Sequence, residues 1–178
     1  MKLSYSIPGK IWWIHNFLDQ EVYKGIHNAI IRERDNLKLQ EVSNGAWSSF
    51  LYNNMQPPKR VEVSNYPPFE KLKTLIRHNP YCLLPELNHM TTTIHYLEKG
   101  TGINWHDDGT WTYGATYYLN HKWHRQWGGE LMFTDANGHG FLPVVGNSLV
   151  LVKAPIAHKV NPVLSPLMPR ISVQIFMK

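Results

Sequence analysis

The stretch HYLEKGTGINWHDD, residues 95–108, decides the predicted fold of this chain. It joins the end of a β-branched run, a glycine-rich turn and an extended segment that finishes in His106, Asp107 and Asp108. Side chains two positions apart in a strand share a face, so His106 and Asp108 can point the same way while Asp107 points away. The triplet can therefore offer two ligands to one metal ion.

The third ligand is expected from a later strand that the fold brings back to this triplet. His158 begins the segment HKVNPV after an apolar strand and is the candidate. Two histidines and one carboxylate form the facial triad that suits non-haem iron(II), with coordination sites left open for a 2-oxo acid and O₂. The remaining histidines lack partners at a convincing spacing and are interpreted as surface or packing residues: His15, His27, His78, His89, His121, His124 and His139.

C-terminal to Met90, the chain reads as short strands separated by turns. Their close spacing predicts a sandwich or jelly roll and not an alternation of strands and helices. The predicted strands are TTTIHYL (91–97), GINWHDD (102–108), GATYYLN (114–120), GELMFTD (129–135), NSLVLVK (147–153), HKVNPV (158–163) and RISVQIFM (170–177).

The first 89 residues are predicted to be a helical and loop region that buttresses one face of this sheet. A short strand is expected over 10–14 and a helix over 19–35, capped by Asn16 or Asp19. A polar loop over 39–65 leads to a second helix over 69–77. The fold class is thus mainly β (α+β), as one domain of 178 residues whose jelly-roll core is 90–178.

Composition narrows the cellular setting. The only cysteine is Cys82, so no intrachain disulfide can form, which favours a reducing compartment. No apolar run has the length of a membrane span, and we expect a cytoplasmic protein without membrane contact. The formal charge of +5 and the pI of about 9.3 favour an acidic partner, yet no block of like charge resembles a nucleic-acid arm.

Arg170 can anchor the far carboxylate of a dicarboxylate co-substrate. Its guanidinium would pair with a carboxylate bidentately and stay charged when buried, although a strand-end arginine can also reach solvent. Ser172 shares its face, and Tyr96 and Tyr118 are the natural hydroxyl donors, for a bound carboxylate or for a backbone carbonyl. Four tryptophans flank the site and either line a substrate groove or pack: Trp105, Trp111, Trp123 and Trp127.

Roughly residues 90–178 resemble the prolyl 4-hydroxylase-like group of 2-oxoglutarate/iron(II) dioxygenases. The resemblance rests on a series of motifs in order: HYLEKGTGINWHDD, TYYLNHKWHRQWGGELMF, LPVVGNSLVLV, HKVNPV and PRISVQIF. The gap between His158 and Arg170 is slightly longer than in similar sequences, and the first 85 residues match only loosely.

This resemblance implies a double-stranded β-helix core and a set of site residues. Iron would be held by His106, Asp108 and His158, and Arg170 would take part in catalysis by holding the distal carboxylate of 2-oxoglutarate. The co-substrate pocket would also include Tyr118 as a second contact to that carboxylate, Tyr96 near the metal-binding end, Leu131 as an apolar wall, and Ser172. O₂ and, as an optional reductant, ascorbate complete the expected cofactors.

The implied activity is hydroxylation of a C–H bond, with release of succinate and CO₂. A prolyl residue in a protein or peptide is the leading substrate, and a free amino acid or another small molecule is the first alternative. A nucleic-acid demethylase would fit the basic pI, but the strand after Arg170 reads ISVQIFMK without the second arginine of similar demethylases. A jelly-roll binding module without catalysis is the last alternative.

Overall fold

The structure is a computed structural model that describes residues 1–41, 58–82, 84, 87, 89–136 and 138–178. Two α-helices are found among these residues, α1 (Gln20–Glu33) and α2 (Glu70–Arg77). The strands are β1 (Lys2–Ile7), β2 (Ile11–His15), β3 (Gln40–Glu41), β4 (Lys59–Glu62), β5 (Met90–Leu97), β6 (Ile103–His106), β7 (Tyr113–Tyr118), β8 (Leu131–Asp135), β9 (Gly138–Leu142), β10 (Ser148–Lys153), β11 (Ala157–Val160) and β12 (Arg170–Met177).

The strands form two antiparallel sheets. The larger sheet has the order β1-β2-β10-β7-β12-β5-β4-β3, and the smaller has the order β6-β11-β8-β9. The central neighbours β10-β7, β7-β12 and β12-β5, like β6-β11 in the smaller sheet, are distant in sequence, as expected when strands of a jelly roll alternate between two sheets. The predicted mainly β architecture with a jelly-roll core is confirmed.

Both helices pack on the outer face of the larger sheet. Helix α1 begins after Asp19, whose Oδ1 accepts a hydrogen bond from the backbone N–H of Glu21 at 2.9 Å. The buried side chains Ile26, Leu72 and Ile76 belong to one apolar cluster with residues of β12 and β7. The prediction that the N-terminal helices buttress one face is confirmed, and burying this cluster stabilises the fold.

A second apolar cluster joins the inner faces of the two sheets. Leu97, Val150 and Val152 come from the larger sheet, while Leu131 and Val160 come from the smaller. Along β12 the alternation sends Ile171, Val173 and Ile175 to the helix side. Arg170, Ser172, Gln174 and Phe176 therefore lie on the inner side of this strand.

The seven strands predicted after Met90 all occur, with ends shifted by a few residues. Strands β1 and β9 were not predicted, because β1 is a mostly exposed edge strand and β9 contains two glycines in GHGFL. The predicted loop over 39–65 contains β3 and β4, and its residues 42–57 lie outside the described part. In the described residues, neither helix is long and apolar enough to cross a membrane.

Candidate metal and co-substrate site

The two candidate histidine ligands face each other across paired strands of the smaller sheet. His106 on β6 is the register partner of His158 on β11. Their imidazole ring centroids are 4.3 Å apart with the planes inclined by 54°. Antiparallel pairing of these two strands therefore brings together two histidines that are distant in sequence.

Hydrogen bonds orient both imidazole rings. The Nδ1 atom of His106 lies 2.7 Å from the carbonyl oxygen of Asn104, and that of His158 lies 2.8 Å from the carbonyl oxygen of Ile156. A carbonyl only accepts, so each Nδ1 carries the proton and donates it. Both Nε2 atoms then keep a free lone pair, which is the arrangement expected of metal-ligating histidines.

Asp108 completes the cluster. Its Oδ1 lies 3.9 Å from Nε2 of His106, and its Oδ2 lies 3.8 Å from Nε2 of His158. One ligand atom from each of the three side chains lies within 4.8 Å of the others, so the set could hold a metal ion. Asp107 is exposed, and its Oδ1 accepts a hydrogen bond from the backbone N–H of Gly109 at 3.1 Å.

Gly114 on β7 gives the Asp108 carboxylate its room. A Cβ at position 114 would collide with Oδ2 of Asp108. Real Cβ contacts of that kind essentially never occur, so the absence of a side chain here is a steric requirement of the cluster.

The surroundings keep His106 neutral. Burial lowers the pKa of His106 from its usual value, and the nearby His158 acts in the same direction. The Asn104 carbonyl and the Asp108 carboxylate oppose this effect but do not reverse it. A neutral imidazole is the form that binds a metal ion.

Arg170 is buried and unpaired at the inner face of β12. Arg170 is only 1% exposed, so its side chain does not reach solvent. Nη1 donates to Oγ of Ser172 at 3.0 Å, while Nε and Nη2 have no hydrogen-bond partner among the described residues. A buried guanidinium without a carboxylate is costly, and a bound carboxylate would match its fork.

Two other expected pocket residues lie on the same side as Arg170. Tyr118 is the register partner of Ser172, and its ring centroid is 4.9 Å from the guanidinium carbon of Arg170. Its buried hydroxyl has no hydrogen-bond partner in the described residues. Leu131 lies on the smaller sheet and belongs to the same inner apolar cluster as Tyr118.

Tyr96 does not belong to this pocket, which corrects one prediction. Tyr96 is the register partner of Ile171, and both residues lie in the helix-side cluster. Its ring lies 5.9 Å from the guanidinium carbon of Arg34. The pleat instead turns His95, the register partner of Ser172, toward the inner side. The motif drew attention to the tyrosine, and only the register between β5 and β12 shows that the histidine faces inward.

A close backbone approach positions Arg170. Gly129 has a φ of +76°, which favours glycine, and a Cβ there would lie 2.9 Å from Cδ of Arg170. The same Cβ would lie 3.5 Å from the indole of Trp123. Gly129 of the GGEL motif thus lets the chain pass over the arginine.

The four tryptophans have different surroundings. Trp111 follows Asp108 closely, because its backbone N–H donates to the Asp108 carbonyl at 2.7 Å, and its ring stacks on Phe176. Trp105 is 44% exposed. Trp123 donates to the Gly128 carbonyl and contacts Trp127 edge to face. Of these four, Trp111 is the one beside the metal cluster that also lines a groove.

Comparison with known families agrees with this geometry. Residues 91–178 match the family described as the 2OG-Fe(II) oxygenase superfamily, a span that contains all three metal-cluster residues and Arg170. These matched residues belong to the 2OG-Fe(II) oxygenase superfamily, and the chain is similar to prolyl 4-hydroxylase-like members of it. No curated protein sequence matches the chain significantly.

Solved structures share the fold at low identity. A prolyl-4-hydroxylase of Pseudomonas putida has 16% identity and a TM-score of 0.73, over 95% of this chain and 92% of that one. A Trichoplax adhaerens prolyl hydroxylase, in complex with a hypoxia inducible factor peptide fragment, has 16% identity and a TM-score of 0.78, over 96% and 84%. The α-ketoglutarate-dependent epimerase SnoN from nogalamycin biosynthesis has 11% identity and a TM-score of 0.66, over 95% and 77%.

The family's cofactors are iron(II), 2-oxoglutarate and O₂, and the residues present fit them. Two imidazole nitrogens and one carboxylate oxygen form the donor set that suits iron(II). The unpaired buried guanidinium of Arg170 fits the distant carboxylate of 2-oxoglutarate. The chain therefore has the donor chemistry of an oxidoreductase of this superfamily.

Proposed function

We propose that this protein hydroxylates a prolyl residue in a protein or peptide, with 2-oxoglutarate and O₂ as co-substrates and succinate and CO₂ as products. His106, Asp108 and His158 hold the iron(II) ion. Arg170, with Ser172 and Tyr118, holds the distal carboxylate of 2-oxoglutarate, and Leu131 forms an apolar wall. Bound iron(II) would activate O₂, which is the oxidant, and the protein's residues bind and orient the co-substrate and shield it from water.

The observation that carries this proposal is the pairing of a metal cluster with an unpaired buried arginine. The cluster lies between β6, β11 and the loop before β7, and Arg170 lies on the inner face of β12. A facial triad alone would suit several reactions, because the same donors serve many iron enzymes. The added guanidinium selects a dicarboxylate partner for the metal.

Three groups of residues have supporting roles in this proposal. The backbone carbonyls of Asn104 and Ile156 fix the tautomers of the two histidines. Ser172 orients the guanidinium of Arg170 through its Oγ. Leu131 belongs to the apolar inner cluster, which excludes water from the co-substrate and so strengthens its pairing with Arg170.

The prolyl substrate rests on the ordered motif series and on the kind of relatives that share the fold. One similar structure is a prolyl-4-hydroxylase, and another is a prolyl hydroxylase with a peptide fragment bound. The fold alone does not determine the reaction, since an epimerase has it as well. The substrate therefore has its own test.

The test is succinate formation by the iron-loaded chain with a library of proline-containing peptides. Peptide-dependent succinate and a gain of one oxygen atom on the proline by mass spectrometry are expected. Free proline and other free amino acids form a parallel arm. Oxidation of free amino acids alone would mean that the substrate is a small molecule and not a peptide. Methylated DNA is tested in the same way, and its oxidation would indicate a demethylase.

His158→Ala is the matched inactive variant, and His139→Ala is its control. His139 is exposed on β9 and lies outside the metal cluster. The first variant should lose all succinate formation, whereas the second should keep it. Equal activity of wild type and His158→Ala would contradict the proposed role of the cluster.

A further inference from the structure

We propose that the substrate is an acidic peptide, in which an aspartate or glutamate three to five residues from the oxidised position pairs with Arg60. This inference rests on the proposed function and adds the substrate class. It concerns a groove of about 240 Å³ that begins beside the metal cluster and reaches β3 and β4.

One end of the groove is aromatic and adjoins the metal cluster. Phe176 on β12 is the register partner of Gly114, whose missing side chain makes room for Asp108. Trp111 stacks on Phe176 with 5.6 Å between ring centroids. His89 also stacks on Trp111, with 5.6 Å between the ring centroids, so the indole is held in place. This end presents an apolar, fixed surface beside the candidate iron ligands.

The other end of the groove is charged and lies near the edge of the sheet. Arg60 and Glu62 are two positions apart on β4, so they share a face. Their register partners on β5 are His95 and Thr93, which lie on the inner side of the sheet. Arg60 also lowers the pKa of His95, which agrees with a guanidinium directed to this side. The groove therefore runs from an aromatic end to a charged end.

Arg60 is the charge without a partner. No carboxylate and no hydrogen-bond acceptor contacts its exposed guanidinium among the described residues. Glu62, in contrast, accepts a hydrogen bond from Oγ of Ser64 at 3.0 Å. An incoming carboxylate would gain the planar donor fork of Arg60, which has no partner among the described residues, whereas Glu62 already accepts the hydrogen bond from Ser64. The charge of the site thus favours an acidic ligand.

The length of the groove indicates a peptide and not a single amino acid. Strand β4 lies two strands from β12, which is about 10 Å, and the row of Arg60 is offset from the row of Phe176 by four residues along β5, about 13 Å. The two rows are therefore about 16 Å apart, which an extended peptide covers in about five residues, and the long side chain of Arg60 reduces the separation to three to five residues. One amino acid at the metal cannot reach Arg60.

The experiment measures binding of fluorescein-labelled peptides to the full chain loaded with manganese(II) and 2-oxoglutarate. Each peptide has one central proline in a neutral sequence, with a single aspartate or lysine placed in turn at each position from five before to five after it. At one position three to five residues from the proline, wild type should bind the aspartate peptide about fivefold more tightly than the lysine peptide. A difference of about fivefold corresponds to the free energy of a partly exposed ion pair.

Arg60→Glu should reverse that preference at the same position. Only a folded groove can reverse a preference, so misfolding cannot imitate this result. Arg77→Glu is the matched control, because Arg77 is exposed at the end of α2 on the opposite face of the sheet. It should bind both peptide series as wild type does. Equal affinity for all peptides, or an unchanged preference in Arg60→Glu, would overturn the inference.

Succinate formation separates this inference from the proposed function. If every peptide is bound with equal affinity and oxidised with equal efficiency, the proposed hydroxylase activity is supported and the preference for an acidic peptide is contradicted. If binding depends on peptide charge and Arg60→Glu reverses the preference, but no bound peptide is oxidised, the preference for an acidic peptide is supported and the prolyl hydroxylase activity is contradicted.

Discussion

Arg170 and Tyr118 lie on neighbouring strands with the guanidinium carbon 4.9 Å from the tyrosine ring centroid, and both carry buried polar atoms without a hydrogen-bond partner in the described residues. Buried polar groups are nearly always satisfied in folded proteins. Two such groups side by side therefore indicate a binding partner, and a carboxylate can accept from both. This relationship underlies the first three predictions.

Arg170→Met should weaken 2-oxoglutarate binding by about ten- to a hundredfold, the value of charge-assisted hydrogen bonds to one carboxylate. The same variant should unfold at a higher temperature than wild type without co-substrate, because it removes a buried, unpaired charge. Differential scanning calorimetry with and without 2-oxoglutarate checks both effects. A variant that is less stable and binds as wild type would argue that Arg170 is structural.

The two tyrosines should respond differently to loss of their hydroxyl groups. Tyr118→Phe should raise the dissociation constant of 2-oxoglutarate about three- to tenfold, because one hydrogen bond is lost. Tyr96→Phe should leave it unchanged, since Tyr96 faces the helix side of the sheet. Calorimetric titration of each metal-loaded variant makes the comparison. The opposite ranking would restore the sequence-based role of Tyr96.

Gly129→Ala should also weaken 2-oxoglutarate binding while iron binding remains. A methyl group at position 129 would press on Cδ of Arg170, and the left-handed backbone would be strained. Metal and co-substrate affinities measured separately distinguish this effect from general unfolding. Loss of both in parallel would mean that the substitution damages the whole core.

Gly114→Ala should act on the metal instead. The added methyl group collides with Asp108, so iron(II) affinity should fall about ten- to a hundredfold, as for other residues that orient ligands. Gly25→Ala is the matched control, because Gly25 is exposed on α1 and has open space around its Cβ position. Metal affinity that is unchanged in Gly114→Ala would show that the carboxylate has another position available.

Much of this site could be predicted from the sequence because short periodicities determine it. Alternation within a strand selected Asp108 over Asp107, and the motif order singled out His158 and Arg170. The burial of Arg170 could not be predicted, because a strand-end arginine reaches solvent equally well. The face of Tyr96 depends on the register between β5 and β12, which no local pattern encodes.

The strands and helices also divide into those that the sequence predicts and those that it does not. Long amphipathic or apolar segments such as α1 and β10 were predicted because their side-chain pattern follows one period. Strands β1 and β9 were missed because exposed residues and glycines carry little pattern, and their pairing partners stabilise them. Tertiary contacts decide such strands, and local propensity does not.

The buried histidine at position 95 predicts a pH dependence of stability. Burial, together with the charges of Arg170 and Arg60, lowers the pKa of His95 to about 3. In the unfolded chain it titrates at about 6.5. Between these values the unfolded state binds one more proton, so this contribution to stability is present above about pH 6.5 and is lost as the pH falls toward 3.

Urea unfolding at pH 7, 6 and 5 measures this dependence. The contribution of His95 to the free energy of unfolding should approach a slope of about 1.4 kcal/mol per pH unit below its unfolded pKa. His95→Gln should remove that part of the slope. Identical pH profiles of the two proteins would mean that His95 accepts a proton in the folded state.

The central claim is that His106, Asp108 and His158 hold iron(II) and present it to 2-oxoglutarate. Anaerobic calorimetric titration of 2-oxoglutarate tests it most directly, with the wild-type chain measured with and without iron(II), beside His158→Ala. Tight binding is predicted only for the iron-loaded wild type. Equal affinity in all three samples would contradict the claim, because the co-substrate would then bind without the metal that these residues are proposed to hold.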